Sequence, residues 1–193
     1  MARWEPDARG RLENAALELF QERGYANTTV QEIAERAGLT ERTFFRYFSD
    51  KREVLFSGSQ DLERAIVDVI ERGPEAATPL EVVAAAFEAA GSFIQEHRSL
   101  SYARARHTLI TAHAELQERE LIKLASLAQA VTRALRARAV AEPAASLAAE
   151  LGVAAFKVGF QRWVTGKKPR DFPEHIRAAL DAVRLLVDGR ARG

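Results

Sequence analysis

Between Thr29 and Phe48 the chain has room for two helices of about two turns each, with only Gly38 and Leu39 to join them. Helices this short are marginal alone in water. A chain that specifies both must hold them in a packed unit. The first opens on Thr29-Val-Gln-Glu32, a capping box with a hydroxyl at N-cap and a carboxylate three residues on. It turns Val30, Ile33, Ala34 and Ala37 inward, and Gly38 stops it. Thr40 caps the second, which covers Glu41 to Phe48. At about 100° per residue, Phe44 and Phe48 share a face, with Glu41 and Phe45 at its edge. Arg42, Thr43, Arg46 and Tyr47 fill the opposite arc.

The flanks fit the same unit. Leu12, Ala15, Ala16, Leu19 and Phe20 recur at helical spacing, which predicts a helix from about Asp7 to Arg23, stopped by Gly24. Asp50-Lys-Arg-Glu53 reads as another capping box, opening a long helix toward about Arg72. Two short helices around a tight Gly turn are the helix-turn-helix pattern. The outward Arg, Thr, Arg and Tyr carry donors for base edges and phosphates and no carboxylate. Arg36, Arg42, Arg46, Lys51 and Arg52 face only Glu41 and Asp50 in the same stretch. The whole chain has a net charge of only +1, so the positive charge is local. The plainer alternative is a solvated helical hairpin with ordinary surface arginines.

Composition narrows the rest. Hydrophobic residues at 47% are too many for a disordered chain. No cysteine is present, which excludes disulfides, Cys-ligated zinc, iron–sulfur clusters and thiol nucleophiles. The first ten residues lack the apolar core of a signal peptide. The longest apolar runs, such as Val82–Phe87, fall far short of the ~20 residues of a membrane span. A soluble cytoplasmic protein is expected. His97, His113 and His175 show no metal-ligand spacing, and no Gly-rich phosphate loop or Ser/His/Asp set is recognisable. No cofactor is expected, and an enzyme is the remotest reading.

The run Thr28-Thr-Val-Gln-Glu-Ile-Ala-Glu-Arg-Ala-Gly-Leu-Thr-Glu-Arg-Thr-Phe-Phe-Arg-Tyr-Phe-Ser-Asp-Lys51 closely resembles the DNA-binding region of TetR-type transcriptional regulators. With the upstream helix and Gly24-Tyr25, the resemblance covers about residues 8–56. It implies that Thr29, Tyr47 and Lys51 contact phosphates and that Thr40, Arg42, Thr43 and Arg46 face the major groove. Arg42 stands where a Gly is frequent and Phe45 where a Tyr is frequent; Phe45 cannot donate a hydrogen bond. Farther on, Glu115–Ala125 is similar to actinobacterial members with a mycofactocin-regulator-like C-terminal domain. Some of those sense acyl-CoA, so an acyl-CoA or another hydrophobic effector is implied.

The resemblance implies an all-α fold of about nine helices. A helix-turn-helix domain is expected over 1–55, with the motif at about 29–48, and a ligand-binding and dimerisation domain over 56–193. After Gly73-Pro74, periodicity and breakers place helices at about 79–97, 99–112, 114–139, 143–165 and 172–188. Helix 79–97 turns Leu80, Val83, Ala84, Phe87, Gly91 and Ile94 to one face; helix 114–139 turns Leu121, Leu124, Ala125, Ala128, Val131 and Leu135. Helix 143–165 has two apolar sides: Leu147, Leu151, Ala154 and Val158, and opposite them Val153, Phe156, Phe160, Trp163 and Val164. Either it is a central core helix, or one side forms a homodimer seam with the last helix. The seam would comprise Leu147, Leu151, Val158, Ile176, Leu180, Val183 and Val187. A dimer is what a helix-turn-helix protein needs to span two half-sites.

Candidate pocket residues are Phe87, Ile94, Arg104, His107, Phe156, Phe160 and Trp163. Aromatic walls with a few polar groups suit a small-molecule site, and the same residues would equally serve as core. His107 is either a satisfied core histidine or a ligand-contacting group. Gly58, between two serines inside the expected long helix, is either a bend point or a site of close helix approach. The expected function is a homodimeric, ligand-responsive regulator of transcription, most simply a repressor that leaves its double-stranded operator when a small apolar or amphipathic effector binds. The alternative is a dimeric DNA-binding protein without an effector.

Overall fold

The computed structural model describes residues 8–166 and 171–187. Among them are nine α-helices and one 3-10 turn, with no strand. The helices are α1 (Ala8–Arg23), α2 (Val30–Arg36), α3 (Glu41–Tyr47), α4 (Ser59–Arg72), α5 (Pro79–His97), α6 (Leu100–Ala112), α7 (Ala114–Ala137), α8 (Ala144–Thr165) and α9 (Phe172–Val187). The 3-10 turn spans Glu53–Phe56. The described ends agree with the sequence-predicted helices to within two residues after Pro79; residue 188 and Asp7 lie outside the described residues.

Two compact units divide the chain. One joins Met1–Gly58 to Ala105–Glu120; the other joins Ser59–Arg104 to Leu121–Gly193. The first unit therefore holds α1, α2, α3 and the 3-10 turn together with the α6–α7 corner. Its core is Leu12, Ala16, Leu19 and Phe20 of α1, Ile33 and Ala34 of α2, and Phe44 and Phe48, closed by Val54, Leu55, Ile110 and Leu116.

Local chemistry makes the short helices possible. Thr29 accepts from the Glu32 N–H, and the Glu32 carboxylate accepts from the Thr29 N–H at 2.9 Å. At the other end of α2, Gly38 takes φ +66°, a conformation that costs a side chain more than glycine. There the Gly38 N–H reaches the Glu35 carbonyl and the Leu39 N–H the Ala34 carbonyl, a Schellman closure. Thr40 caps α3 by accepting from the Thr43 N–H. A helix-turn-helix results, its two helices oriented by caps written into the sequence.

The expected continuous helix from Asp50 to Arg72 does not form. Asp50 accepts from the Arg52 and Glu53 N–H groups, but the segment it caps is only the 3-10 turn. The chain then breaks at Gly58, at φ +82°, and α4 starts at Ser59. Nothing lies within 4 Å of where a Gly58 Cβ would stand, so close helix approach does not explain this glycine. Backbone conformation does: a positive φ ends the first unit here.

The second unit is built on the α8–α9 hairpin packed on α5, with α4 against α5. Its core runs through Ile66, Ile70, Val83, Phe87, Val131, Leu135, Ala149, Val153, Phe172, Ile176 and Leu180. In α7 the expected face is only half right. Ala128, Val131 and Leu135 are buried, whereas Leu121 and Ala125 are exposed and Leu127, Ala130 and Ala134 are buried in their place. The buried face of α7 is rotated toward Leu127 and those alanines.

Gly152 shows how tight the α5–α8 contact is. A Cβ there would stand 2.5 Å from both Phe87 Cε2 and Val83 Cγ1. Gly152→Ala should destabilise the protein by about 1–3 kcal/mol through overpacking, despite alanine's better helix propensity. Thermal unfolding would show it as a fall of about 2–4 °C per kcal/mol. An unchanged or higher midpoint would mean that α5 and α8 can part at no cost.

Candidate nucleic-acid interface

On α3, Phe44 is buried, while Glu41, Arg42, Phe45, Arg46 and Tyr47 are exposed and Thr43 is half-buried. The face expected to point outward does so. The charge count needs revision, because most cations of the first unit are committed. Arg36 pairs with Glu22 at 2.9 Å and also reaches Glu18. Its guanidinium holds the Glu22 carboxyl below the usual carboxylate range. Arg52 pairs with Asp50 at 2.9 Å and lowers that carboxyl as well. Arg23 pairs with Glu32, Arg9 with Glu13, and Arg119 with Glu53. Arg106 donates to the Leu55 carbonyl at 2.6 Å and to Glu120 at 3.3 Å.

Lys51 is also engaged within the fold. Its ammonium donates to the Tyr25 carbonyl at 2.8 Å and the Thr28 carbonyl at 3.0 Å, with the Ala26 carbonyl at 3.4 Å. It also stands 4.4 Å from the centre of the Tyr25 ring. This is a clasp on the turn between α1 and α2, and it uses the three donors a phosphate would need. Tyr25 is buried there against Phe20 and His113, with ring centres 5.1 and 5.2 Å away. Burial pushes its phenol up to about 12, helped by Glu115. In the protein without DNA, Lys51 thus has a structural role that the resemblance does not imply.

The hydroxyls of the interface are partly engaged too. Thr29 Oγ1 lies 3.0 Å from a Glu32 oxygen, and the Thr40 and Thr43 hydroxyls bond each other at 3.0 Å. Arg46 donates to the Tyr47 hydroxyl at 3.2 Å and lies over its ring. Among the described residues, Arg42 is the one Lys or Arg of the first unit with no partner, and Arg46 meets only Tyr47. Both are on the exposed side of α3. Sequence reasoning located this face but could not see which cations folding would consume.

The candidate pocket set is not gathered into a cavity wall. Phe87, Phe156, Phe160 and Trp163 pack on one another through Phe172, whose ring stacks on Trp163 at 4.9 Å. Ile94 packs against the same core. Arg104 donates to the Val164 and Gly166 carbonyls at 2.8 Å each, closing the C-terminus of α8. His107 is half-buried and belongs to the first unit, unlike the other six. The sequence signal for these aromatics was burial, and they are core. A cleft of about 490 Å³ lies instead between α4 and α5, lined by Val69, Ala77, Val82 and Ala85 with Asp68, Arg72 and Glu81. No periodicity in the sequence points to it.

The seam set divides. Leu147 (60% exposed) and Val158 (43%) project from α8, with Leu151 half-buried and Ala154 exposed on the same side. Ile176 and Leu180 are buried in their own protomer, where Ile176 meets Gly91 and Gly159. Val183 and Val187 share their side of α9, although Val187 at its end is 80% exposed. The other exposed apolar residues of α9 are Ala178, Ala182, Leu185 and Leu186. Among the described residues no group of His and carboxylates could hold a metal ion, and no helix is long and apolar enough to cross a membrane.

A capped helix-turn-helix whose second helix exposes Arg42, without a partner among the described residues, and Arg46, which meets only Tyr47, defines a DNA-binding unit of the bacterial regulator type. Residues 13–57 match the sequence profile of bacterial regulatory proteins of the tetR family. Over these residues the chain has the DNA-binding region of tetR-family regulators. The transcriptional regulator TcmR of Streptomyces glaucescens is 40% identical over 81 residues, covering 42% of this chain and 36% of TcmR. The matched stretch thus spans about a third of the length of the first curated relatives. A TetR-family structure from Syntrophomonas wolfei superposes with a TM-score of 0.64 at 19% identity, covering 95% of this chain and 96% of that one. The regulator FadR of Bacillus subtilis in complex with stearoyl-CoA gives 0.58 at 21% identity, covering 90% and 96%. These two likenesses show the fold.

Proposed function

We propose that this protein is a homodimeric regulator of transcription that binds an operator through α3 and leaves it when a small apolar or amphipathic molecule binds the second unit. The observation that supports DNA binding best is the placement of Arg42 and Arg46. Of the first unit's described cations, these two lack a carboxylate or carbonyl partner, and both stand on the exposed side of the second helix of a helix-turn-helix. Guanidinium groups kept out of internal pairs are suited to phosphates and guanine edges. Thr29, Thr40, Thr43 and Tyr47 complete the contact surface.

Two half-sites require two copies. Leu147, Leu151, Ala154 and Val158 form an apolar stripe along α8 that its own unit leaves uncovered, and a second copy suits it. Val158→Glu with Leu147→Glu should yield a folded monomer by light scattering. Leu180→Glu, at 1% exposure, should instead unfold the second unit. A dimer that survives the double change would place the seam elsewhere.

The effector part rests on two supports. FadR, with the same fold, binds stearoyl-CoA, and the α4–α5 cleft is apolar and within the ~300–1,000 Å³ range of small-molecule sites. The test is selection of duplexes from random DNA by the purified protein, followed by titration of the selected complex with an acyl-CoA and the matching free fatty acid. Recovery of a palindromic site supports the regulator. Release by either compound supports the effector class, and release by neither favours a dimeric binder without that effector. Failure to enrich any sequence would overturn the proposal.

A further inference from the structure

We propose that Phe45 is a sequence-reading residue that recognises the C5-methyl group of a thymine in the major groove. The inference rests on the DNA-binding role of α3 and adds to it the base that one side chain selects. Phe45 is 53% exposed in the middle of a helix whose other phenylalanine, Phe44, is fully buried. Its ring stands edge-on to Phe44, with centres 5.5 Å apart. One side of the ring is thus supported by a core residue, and the other is in solvent. An aromatic ring with only two side-chain torsions, held on one edge, is a rigid apolar knob.

Its neighbours say which part of DNA such a knob suits. Glu41 lies one turn before it and Arg42 three residues before it, both exposed and without partners among the described residues. A carboxylate beside the ring repels phosphates, so this stripe is ill-suited to the DNA backbone. In the groove the same three groups have partners: a cytosine amino group for Glu41, a guanine for Arg42, and a thymine methyl for Phe45. The ring has no donor or acceptor, so the methyl is the feature of a base edge that it can distinguish. The competing hydroxyls do less, since Thr40 and Thr43 bond each other and Tyr47 accepts from Arg46.

The test uses the full-length protein and a duplex selected by it from random DNA. Each thymine of the site is replaced in turn by deoxyuridine, which removes the methyl and leaves every hydrogen-bonding group. For the wild type, one position per half-site should lose affinity about fourfold, from one methyl's apolar contact. Phe45→Ala should lose affinity on the thymine duplex and be indifferent to uracil there. Phe45→Leu, which keeps apolar bulk, should retain the discrimination. Thermal unfolding of both variants checks that the exposed position has not disturbed the fold. If wild-type affinity ignores uracil everywhere, or if Phe45→Ala keeps the full discrimination, Phe45 does not read a methyl. Failure to select any duplex would instead remove the DNA-binding reading beneath it.

Discussion

Replacing Arg42 and Arg46 together by alanine should reduce operator affinity by at least a hundredfold while leaving the fold intact. Both side chains are exposed, and their only described contact is between Arg46 and its neighbour Tyr47. Thermal unfolding should therefore move little. A bidentate Arg–guanine contact is worth about 1–3 kcal/mol of discrimination, and a dimer would lose four guanidinium groups at once. The salt dependence is the sharper readout. Counting all five cations from Arg36 to Arg52 in each protomer would give about ten phosphate contacts and a log–log slope near −9. With Arg36, Lys51 and Arg52 engaged internally, these segments supply at most about four, a slope no steeper than about −4. Affinity measured across a salt series, wild type against the double variant, distinguishes the two counts. Wild-type binding with the steep slope, or a double variant that binds normally, would show that the cations paired in the free protein are released onto DNA.

Much of this was legible in the residues because it is local. Thr29, Glu32, Gly38 and Thr40 each act within a few positions of themselves, and caps, a left-handed turn and the Phe44/Phe48 face follow from spacing alone. What escaped is non-local. The partners of Lys51 are 23 to 26 residues upstream, so nothing in the run from Arg36 to Arg52 reveals that its charge is taken. Arg104 looked like a polar group for a pocket because its partners, the carbonyls of Val164 and Gly166, lie about sixty residues downstream. The aromatics of α8 showed a correct buried face, but periodicity cannot say whether such a face lines a cavity or fills one; Phe172, from another helix, fills it. In the same way, one face of α9 read as a single seam, whereas folding gives Ile176 and Leu180 to the protomer's own core. The left-handed turn at Gly58 was hidden for a different reason. Ser-Gly-Ser is compatible with a bent helix or with a break, and the chain takes the break, after a 3-10 turn that buries Val54, Leu55 and Phe56.

Lys51→Met should destabilise the first unit by about 2–4 kcal/mol rather than merely weaken DNA binding. Methionine preserves the length and apolar stem of lysine and deletes the ammonium. Three backbone carbonyls of the α1–α2 turn then lose their shared donor, two of them in part-buried hydrogen bonds. Hydrogen bonds to a charged group contribute about 1.5–3 kcal/mol, and the lost cation–π contact with Tyr25 adds about 0.5–1 kcal/mol. Water reaching the half-exposed site offsets part of this, which sets the upper end of the range. The loss is large against a typical stability of about 5–15 kcal/mol. Amide exchange should localise it, with protection falling first around Tyr25–Thr28, and urea unfolding should show a lower midpoint. Because Lys51 is spent on that turn, the salt slope of operator binding by the folded variant should equal the wild type's. The opposite pattern, wild-type stability with a slope shallower by about one per protomer, is what loss of a phosphate contact would produce.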